Sequence, residues 1–399
     1  MAPVRPRLES ALLIAGVMVL AINLRPGVAS LPPIFDEMHR QMGITNLEIT
    51  ALATTPVTCF AVFAFVSSGV SQRYGDERTI GAAIAFLVLG LAVRPFFGAF
   101  VLFAGTLLAA ASIAVMNVLV ASLIRRRHPE RAGVILGCYF LFFALGQSIA
   151  PALSVPVYLT TGHTVSVPMV IWAAPAAVGF LIWLPQLRRT SRPTQVVQRL
   201  PFSSRTAWWV ALFMAGQSFT FYAASSFLPD IFRDRGATPS TAGFLAAAMG
   251  LGGLAVSFGT PVVAARLRHQ APLVTAGVAL VVIGITGCVD GSLRLEYLSA
   301  AVLGMGQGML QPLAIYLTVV RAANSQGVPP LSAMAQGVGY MIALLCPVTM
   351  GVLRYATGSW VIPGVAVVTV ALATLVVGWL ASRPSTVALP SLHGATTGD

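Results

Sequence analysis

The chain alternates between long apolar runs and short polar turns. A helix that crosses a membrane needs about 20 largely apolar residues. Reading in that window gives twelve runs, at 10–33, 47–70, 79–96, 100–124, 132–155, 167–187, 207–230, 241–265, 272–291, 296–320, 331–354 and 360–381. The first is too long, and is followed by too many others, to be a cleaved signal peptide. The longest polar interval, 188–206, divides the runs into six and six. From residue 382 the chain is rich in Ser, Thr, Gly and Pro, the composition of a disordered tail. The pattern predicts an all-α integral membrane protein with twelve transmembrane helices. Its N-terminal half is 1–187, its linker 188–206, its C-terminal half 207–381 and its tail 382–399.

The two halves echo one another. The first run ends Leu31-Pro32-Pro33-Ile34-Phe35 and the seventh ends Leu228-Pro229-Asp230-Ile231-Phe232. Each is followed by a turn that starts the next helix, Gly43-Ile44-Thr45-Asn46 and Gly236-Ala237-Thr238-Pro239-Ser240. Gly137-Cys138-Tyr139 in the fifth run matches Val338-Gly339-Tyr340 in the eleventh, and Asn117 in the fourth matches Gln311 in the tenth. Several matches in one order imply a duplicated six-helix unit.

Composition excludes other classes. Of the 399 residues 57% are hydrophobic and 9% charged, against about 25% charged in soluble domains. The basic excess is all arginine. In a soluble protein a formal charge of +12 would suggest nucleic acid; here it reports topology, because basic residues collect on cytoplasmic loops. With the N-terminus inside, 17 of the 24 arginines fall on cytoplasmic segments, six on the outer side, and Arg25 within the first run. Both termini are then cytoplasmic. Cys59, Cys138, Cys288 and Cys346 lie in apolar stretches without metal-type spacing.

Polar groups inside the runs carry the functional information. A charge at the bilayer centre costs at least ~2.5–3.5 kcal/mol, so it has a task or a partner. Arg25 precedes Pro26, which removes a backbone donor and weakens the helix there. No acid lies mid-run to pair with it. A guanidinium lining a cavity suits an oxyanion or carboxylate; the plainer alternatives are snorkelling or a pair with Glu48. Arg94, before Pro95 at a run's end, reads as an interface anchor. A second set is neutral: Asn23, Asn117, Tyr139, Gln147, Gln217, Tyr222, Gln307, Gln311, Gln336 and Tyr340. Gln307 and Gln311 share a face, as do Gln336 and Tyr340. Tyr222 aligns with Arg25 across the repeat. The five histidines and all the acids lie away from the middles of the runs, so intramembrane enzymatic chemistry, a metal and a cofactor are not expected. Proton coupling would fall to Glu48 or Glu296, near the run ends. Without lysine there is no Gly-x4-Gly-Lys nucleotide loop.

The stretch Ala21-Ile22-Asn23-Leu24-Arg25-Pro26 resembles the first-helix signature of the cyanate / 2-nitroimidazole permease branch of the major facilitator superfamily. Arg73-Tyr74-Gly75-Asp76-Glu77-Arg78 is similar to that branch's cytoplasmic loop motif, in which Arg73, Gly75, Glu77 and Arg78 are the gating positions; Gln72 stands where an aspartate is usual. Asn117-Val118-Leu119 through Arg131-Ala132-Gly133, Leu331 through Tyr340, and Thr357-Gly358-Ser359-Trp360 fit as well. The resemblance implies a monomeric inner-membrane permease of two parallel six-helix repeats. Its substrate would be held near the midplane and exposed to each side in turn.

The resulting expectation is a bacterial inner-membrane secondary transporter for a small organic or inorganic anion held by Arg25. A coupled proton stays open as a partner, and nucleic acid is not one. The alternative is an exporter of neutral or weakly basic drug-like compounds. Its cavity would be lined by Phe140, Phe142, Phe143, Phe219, Phe221 and Tyr222.

Overall fold

A computed structural model describes residues 4–188, 199–290 and 295–387. The described chain is helical. The first half holds α1 (Val4–Asn23), α2 (Pro26–Ala29), α3 (Phe35–Met42), α4 (Asn46–Tyr74), α5 (Asp76–Val93), α6 (Gly98–Arg127), α7 (Ala132–Thr160), α8 (Ser166–Val170) and α9 (Ala173–Leu187). The second holds α10 (Arg205–Asp234), α11 (Pro239–Ser257), α12 (Gly259–Arg266), α13 (Ala271–Asp290), α14 (Glu296–Arg321), α15 (Val328–Ala343), α16 (Leu345–Thr357) and α17 (Val361–Ala381). Among the described residues there is no strand, only an isolated bridge between Ala322 and Val387.

Ten helical stretches are long and apolar enough to cross a membrane. The remaining two of the twelve expected runs correspond to α5 and α10. α5 opens with three consecutive charges, Asp76, Glu77 and Arg78. α10 carries Gln217, Ser218, Thr220, Tyr222, Ser225 and Ser226 through its middle.

Four runs expected as single helices are broken. The breaks fall after Asn23, after Val170, after Ser257 and after Ala343. Each lies three to five residues before a proline: Pro26, Pro175, Pro261 and Pro347. Proline offers no N–H to the carbonyl four residues earlier, and its ring crowds that carbonyl.

By contacts the described residues form two compact units, 4–127 with 142–188, and 128–141 with 199–387. In the first, α6 packs on α4 and α5, and α9 on α5 and α1. In the second, α14 packs on α11 and α13, and α17 on α13 and α10. The same pairings thus recur in the same order. The repeated turns also match. Gly43 and Gly236 have φ of 67° and 93°, left-handed values that favour glycine. Thr45 and Thr238 then cap the next helices, accepting from Glu48 N at 3.3 Å and Thr241 N at 3.2 Å. Glu48 closes a capping box on Thr45 N at 2.7 Å.

Residues 189–198 of the expected linker and 388–399 of the expected tail lie outside the described residues. The start of that tail, 382–387, is docked. Val387 is buried, donates to Arg321 O at 2.7 Å and accepts from Ala323 N at 3.3 Å. The Arg321 guanidinium caps the end of α17, donating to Ala381 O at 2.9 Å and Ser382 O at 2.8 Å, and reaches Gln270 Oε1 at 2.6 Å.

Candidate functional site

In the first unit the site is the break between α1 and α2. Pro26 leaves the Ile22 carbonyl without its helical donor. α7 comes against that carbonyl through Gly146, where any Cβ would collide with Ile22 O. Beyond the break the chain resumes with Ala29 N donating to Arg25 O at 2.8 Å. Arg25 is itself buried, and its guanidinium carbon lies 4.4 Å from the centre of the Phe143 ring. That is cation–π distance. Gln147 follows Phe143 by one turn and is half-buried. Tyr139, on the part of α7 that falls in the second unit, packs edge-on against Phe140, with centroids 5.1 Å apart.

Two neighbours differ from the sequence reading. The Asn23 amide is committed to backbone, donating to Val19 O at 2.6 Å and Pro175 O at 3.3 Å, so it ties α1 to α9. Arg94 is wholly buried rather than anchored at a membrane surface. It donates to Gly27 O at 2.5 Å and Met169 O at 3.1 Å, fastening α2 and α8 to the end of α5. The cause lies one turn earlier. Gly90 lets α5 approach α6 so closely that a Cβ there would sit 2.6 Å from Gly105 O. The closeness carries Arg94 inward. Glu48, the alternative partner for Arg25, is engaged with Thr45.

Asn117 lies half-buried on α6. At the far end of the unit the loop motif sorts its charges by burial. Asp76 and Glu77 are buried while Arg73 and Arg78 are exposed, and Gly75 turns the chain at φ 86°. Asp76 accepts from Ser71 and from Ser122 Oγ at 3.4 Å, and pairs with Arg126 at 3.1 Å. Glu77 pairs with Arg127 at 2.6 Å and Arg126 at 3.4 Å. Burial pushes the Asp76 carboxyl above the usual range, opposed by the attraction of Arg126. Among the expected gating positions Gly75 and Glu77 are buried, and Glu77 is the buried charge. Asp76, Arg126 and Arg127 complete a network that no single motif position announced.

In the second unit the polar set divides. Tyr222 and Tyr340 meet edge-on with centroids 6.5 Å apart, and Phe221 extends the cluster from Tyr222 at 5.5 Å. Gln311 is half-buried. Gln307 and Gln336 turn into the unit. Gln307 Nε2 donates to Thr220 Oγ1 at 3.2 Å and Gln336 Nε2 to Ser332 Oγ at 2.9 Å. Gln217 is buried beside them, donating to Ser218 Oγ at 2.8 Å. The Gln307 amide thereby joins α14 to α10, while the tyrosine pair meets edge-on.

Comparison with known proteins completes the description. The family model described as Major Facilitator Superfamily matches residues 13–343. The chain is 32% identical over 365 residues to the "Uncharacterized transporter YycB" of Bacillus subtilis, covering 90% of this chain and 91% of that one. It is 29% identical over 386 residues to the "2-nitroimidazole transporter" of Escherichia coli, covering 93% and 95%. To the "Cyanate transport protein CynX" of the same organism it is 25% identical over 351 residues, covering 86% and 90%. Among solved structures, the proton:xylose symporter XylE superposes with a TM-score of 0.76 at 11% identity, covering 94% of this chain and 97% of that one. The Major Facilitator Superfamily transporter FucP, in the outward conformation, superposes with a TM-score of 0.73 at 14% identity, with the same coverage.

Proposed function

Because the chain belongs to the Major Facilitator Superfamily, a family of multi-pass membrane transporters rather than enzymes, we propose that it is a secondary active permease for a small organic or inorganic anion. The carrying observation is Arg25, a guanidinium held at a helix break and backed by the Phe143 ring. A guanidinium fork suits a planar or linear acceptor group. Two relatives named for cyanate and 2-nitroimidazole support the size class. Cyanate is a small linear anion, and a nitro group offers two coplanar oxygens. α5 and α10 complete twelve spans, both termini face the cytoplasm, and the protein acts as a monomer in the bacterial inner membrane by alternating access. A proton is the coupling ion we favour, since the structural neighbour XylE is a proton symporter.

The second reading, export of neutral or weakly basic heteroaromatic compounds, draws on the Tyr222–Tyr340 pair. Uptake into proteoliposomes separates the two. A charge-assisted bond contributes about 1.5–3 kcal/mol. Arg25→Ala is therefore expected to weaken transport of labelled cyanate or a small carboxylate about 10- to 100-fold. Arg25→Lys keeps the charge without the fork and should fall between. Anion uptake unchanged in Arg25→Ala would sink the proposal. Anion uptake absent in wild type, with an imidazole solute carried normally, would favour the second reading.

A further inference from the structure

A hollow of about 570 Å³ lies in the second unit, where the last two turns of α10, the end of α16 and the start of α17 converge. It sits at the end of α10 opposite the linker. On one side Asp234 is fixed, accepting from Arg354 Nη2 at 2.6 Å and Trp360 Nε1 at 2.8 Å. Arg354 stacks 5.4 Å over the Trp360 ring, and Phe227 meets that ring at 5.8 Å. On the other side Asp230 and Arg233 are exposed on one face of α10 and form no ion pair among the described residues, with each other or with any other group. The hollow therefore balances two cations and two anions, with one pair locked and one pair divided. Below it an apolar stripe runs along α16. Leu345, Val348, Val352 and Tyr355 follow one helix face, all exposed, and Tyr355 is 93% exposed.

We infer that this hollow binds the headgroup of a zwitterionic phospholipid, phosphoethanolamine in type. The divided pair matches a headgroup whose phosphate and ammonium are also divided. Arg233, with the outer edge of Arg354, takes the phosphate. Asp230 and the faces of Trp360 and Phe227 take the ammonium. The location fits, because the broken helical stretch Ser325–Thr357, which α16 ends, and the helix that starts at Val361 are both long and apolar enough to span, so the turn between them lies at the bilayer surface. The stripe on α16 gives the acyl chains a surface, which a soluble zwitterion would not need.

The test is lipid retention by the full chain, read by native mass spectrometry after purification with equal phosphatidylethanolamine and phosphatidylglycerol. Wild type should retain phosphatidylethanolamine preferentially. Asp230→Asn combined with Arg233→Gln should lower that preference about tenfold, from two partly exposed charge contacts. The thermal midpoint should not move, since both positions are on the surface. Tyr355→Ser should shorten retention without changing headgroup preference. Equal retention of the two lipids, or a preference unchanged in the double variant, overturns the inference. Displacement of the lipid by millimolar free phosphoethanolamine would also overturn it, by assigning the hollow to a soluble solute.

Discussion

At the scale of single residues, two buried arginines in the first unit do different work. Arg25 lies at a helix break over the Phe143 ring. Arg94 spends its donors on the carbonyls of Gly27 and Met169. Replacing Arg94 by Met leaves both carbonyls unsatisfied, at about 1–3 kcal/mol each. The thermal midpoint in detergent should fall clearly, and Arg94→Lys should recover part of the loss. The sequence made Arg25 legible because no pattern of loops explained it. It misplaced Arg94, because a cation before Pro95 at the end of an apolar run looks like a surface anchor. Only the Gly90–Gly105 approach, a matter of three dimensions, brings it inside. Asp234 has a pH signature. Its hydrogen bonds from Arg354 and then Trp360 hold its carboxyl below the usual range. A depressed folded-state value adds stability above the unfolded value near ~3.9, and that stability is lost as pH falls through the folded value. Asp234→Asn should therefore unfold earlier than wild type at neutral pH, and the gap should narrow as pH falls below the unfolded value in a melting series.

At the scale of elements, prolines explain the breaks but do not dictate them. Pro26, Pro175, Pro261 and Pro347 each follow a break, whereas Pro56, Pro151, Pro229 and Pro312 sit inside continuous helices. The sequence could mark where a backbone donor was missing, but not whether the neighbouring helix would absorb the fault. At the first span the neighbour is α7, and its Gly146 faces the released Ile22 carbonyl. Gly146→Val should force α7 and α1 apart, at ~1–3 kcal/mol for overpacking. Because the displaced segment carries Arg25, anion uptake per folded molecule should fall as well. Uptake kept at wild-type level, normalised to folded protein, would separate the break from the site.

At the scale of the molecule, the duplicated pairings are the feature most readable beforehand. Matching turns at Thr45 and Thr238 foretold matching caps, and the pairings of α4, α5, α6 and α9 recur as α11, α13, α14 and α17. The polar set was less readable. Residue type alone could not separate Gln307 and Gln336, turned inward to Thr220 and Ser332, from the Tyr222–Tyr340 edge. Nor could it reveal that Asp76 and Glu77 share two arginines from the end of α6.

α5 and α10, the two of the twelve expected runs outside the ten apolar stretches, carry a consequence for synthesis. α5 is followed at once by α6, on which it packs, so a partner is made within a few seconds of translation. α10 instead packs mainly on α15 and α17, the latter the last helix of the described chain. In the proposed topology it must wait at the translocon, or at the membrane surface, while more than a hundred residues are added. Chains stopped before α17 should therefore lose α10 to the aqueous side, detectable as protease sensitivity near residue 217 in nascent-chain arrest experiments. Chains stopped after α6 should hold α5 in the membrane.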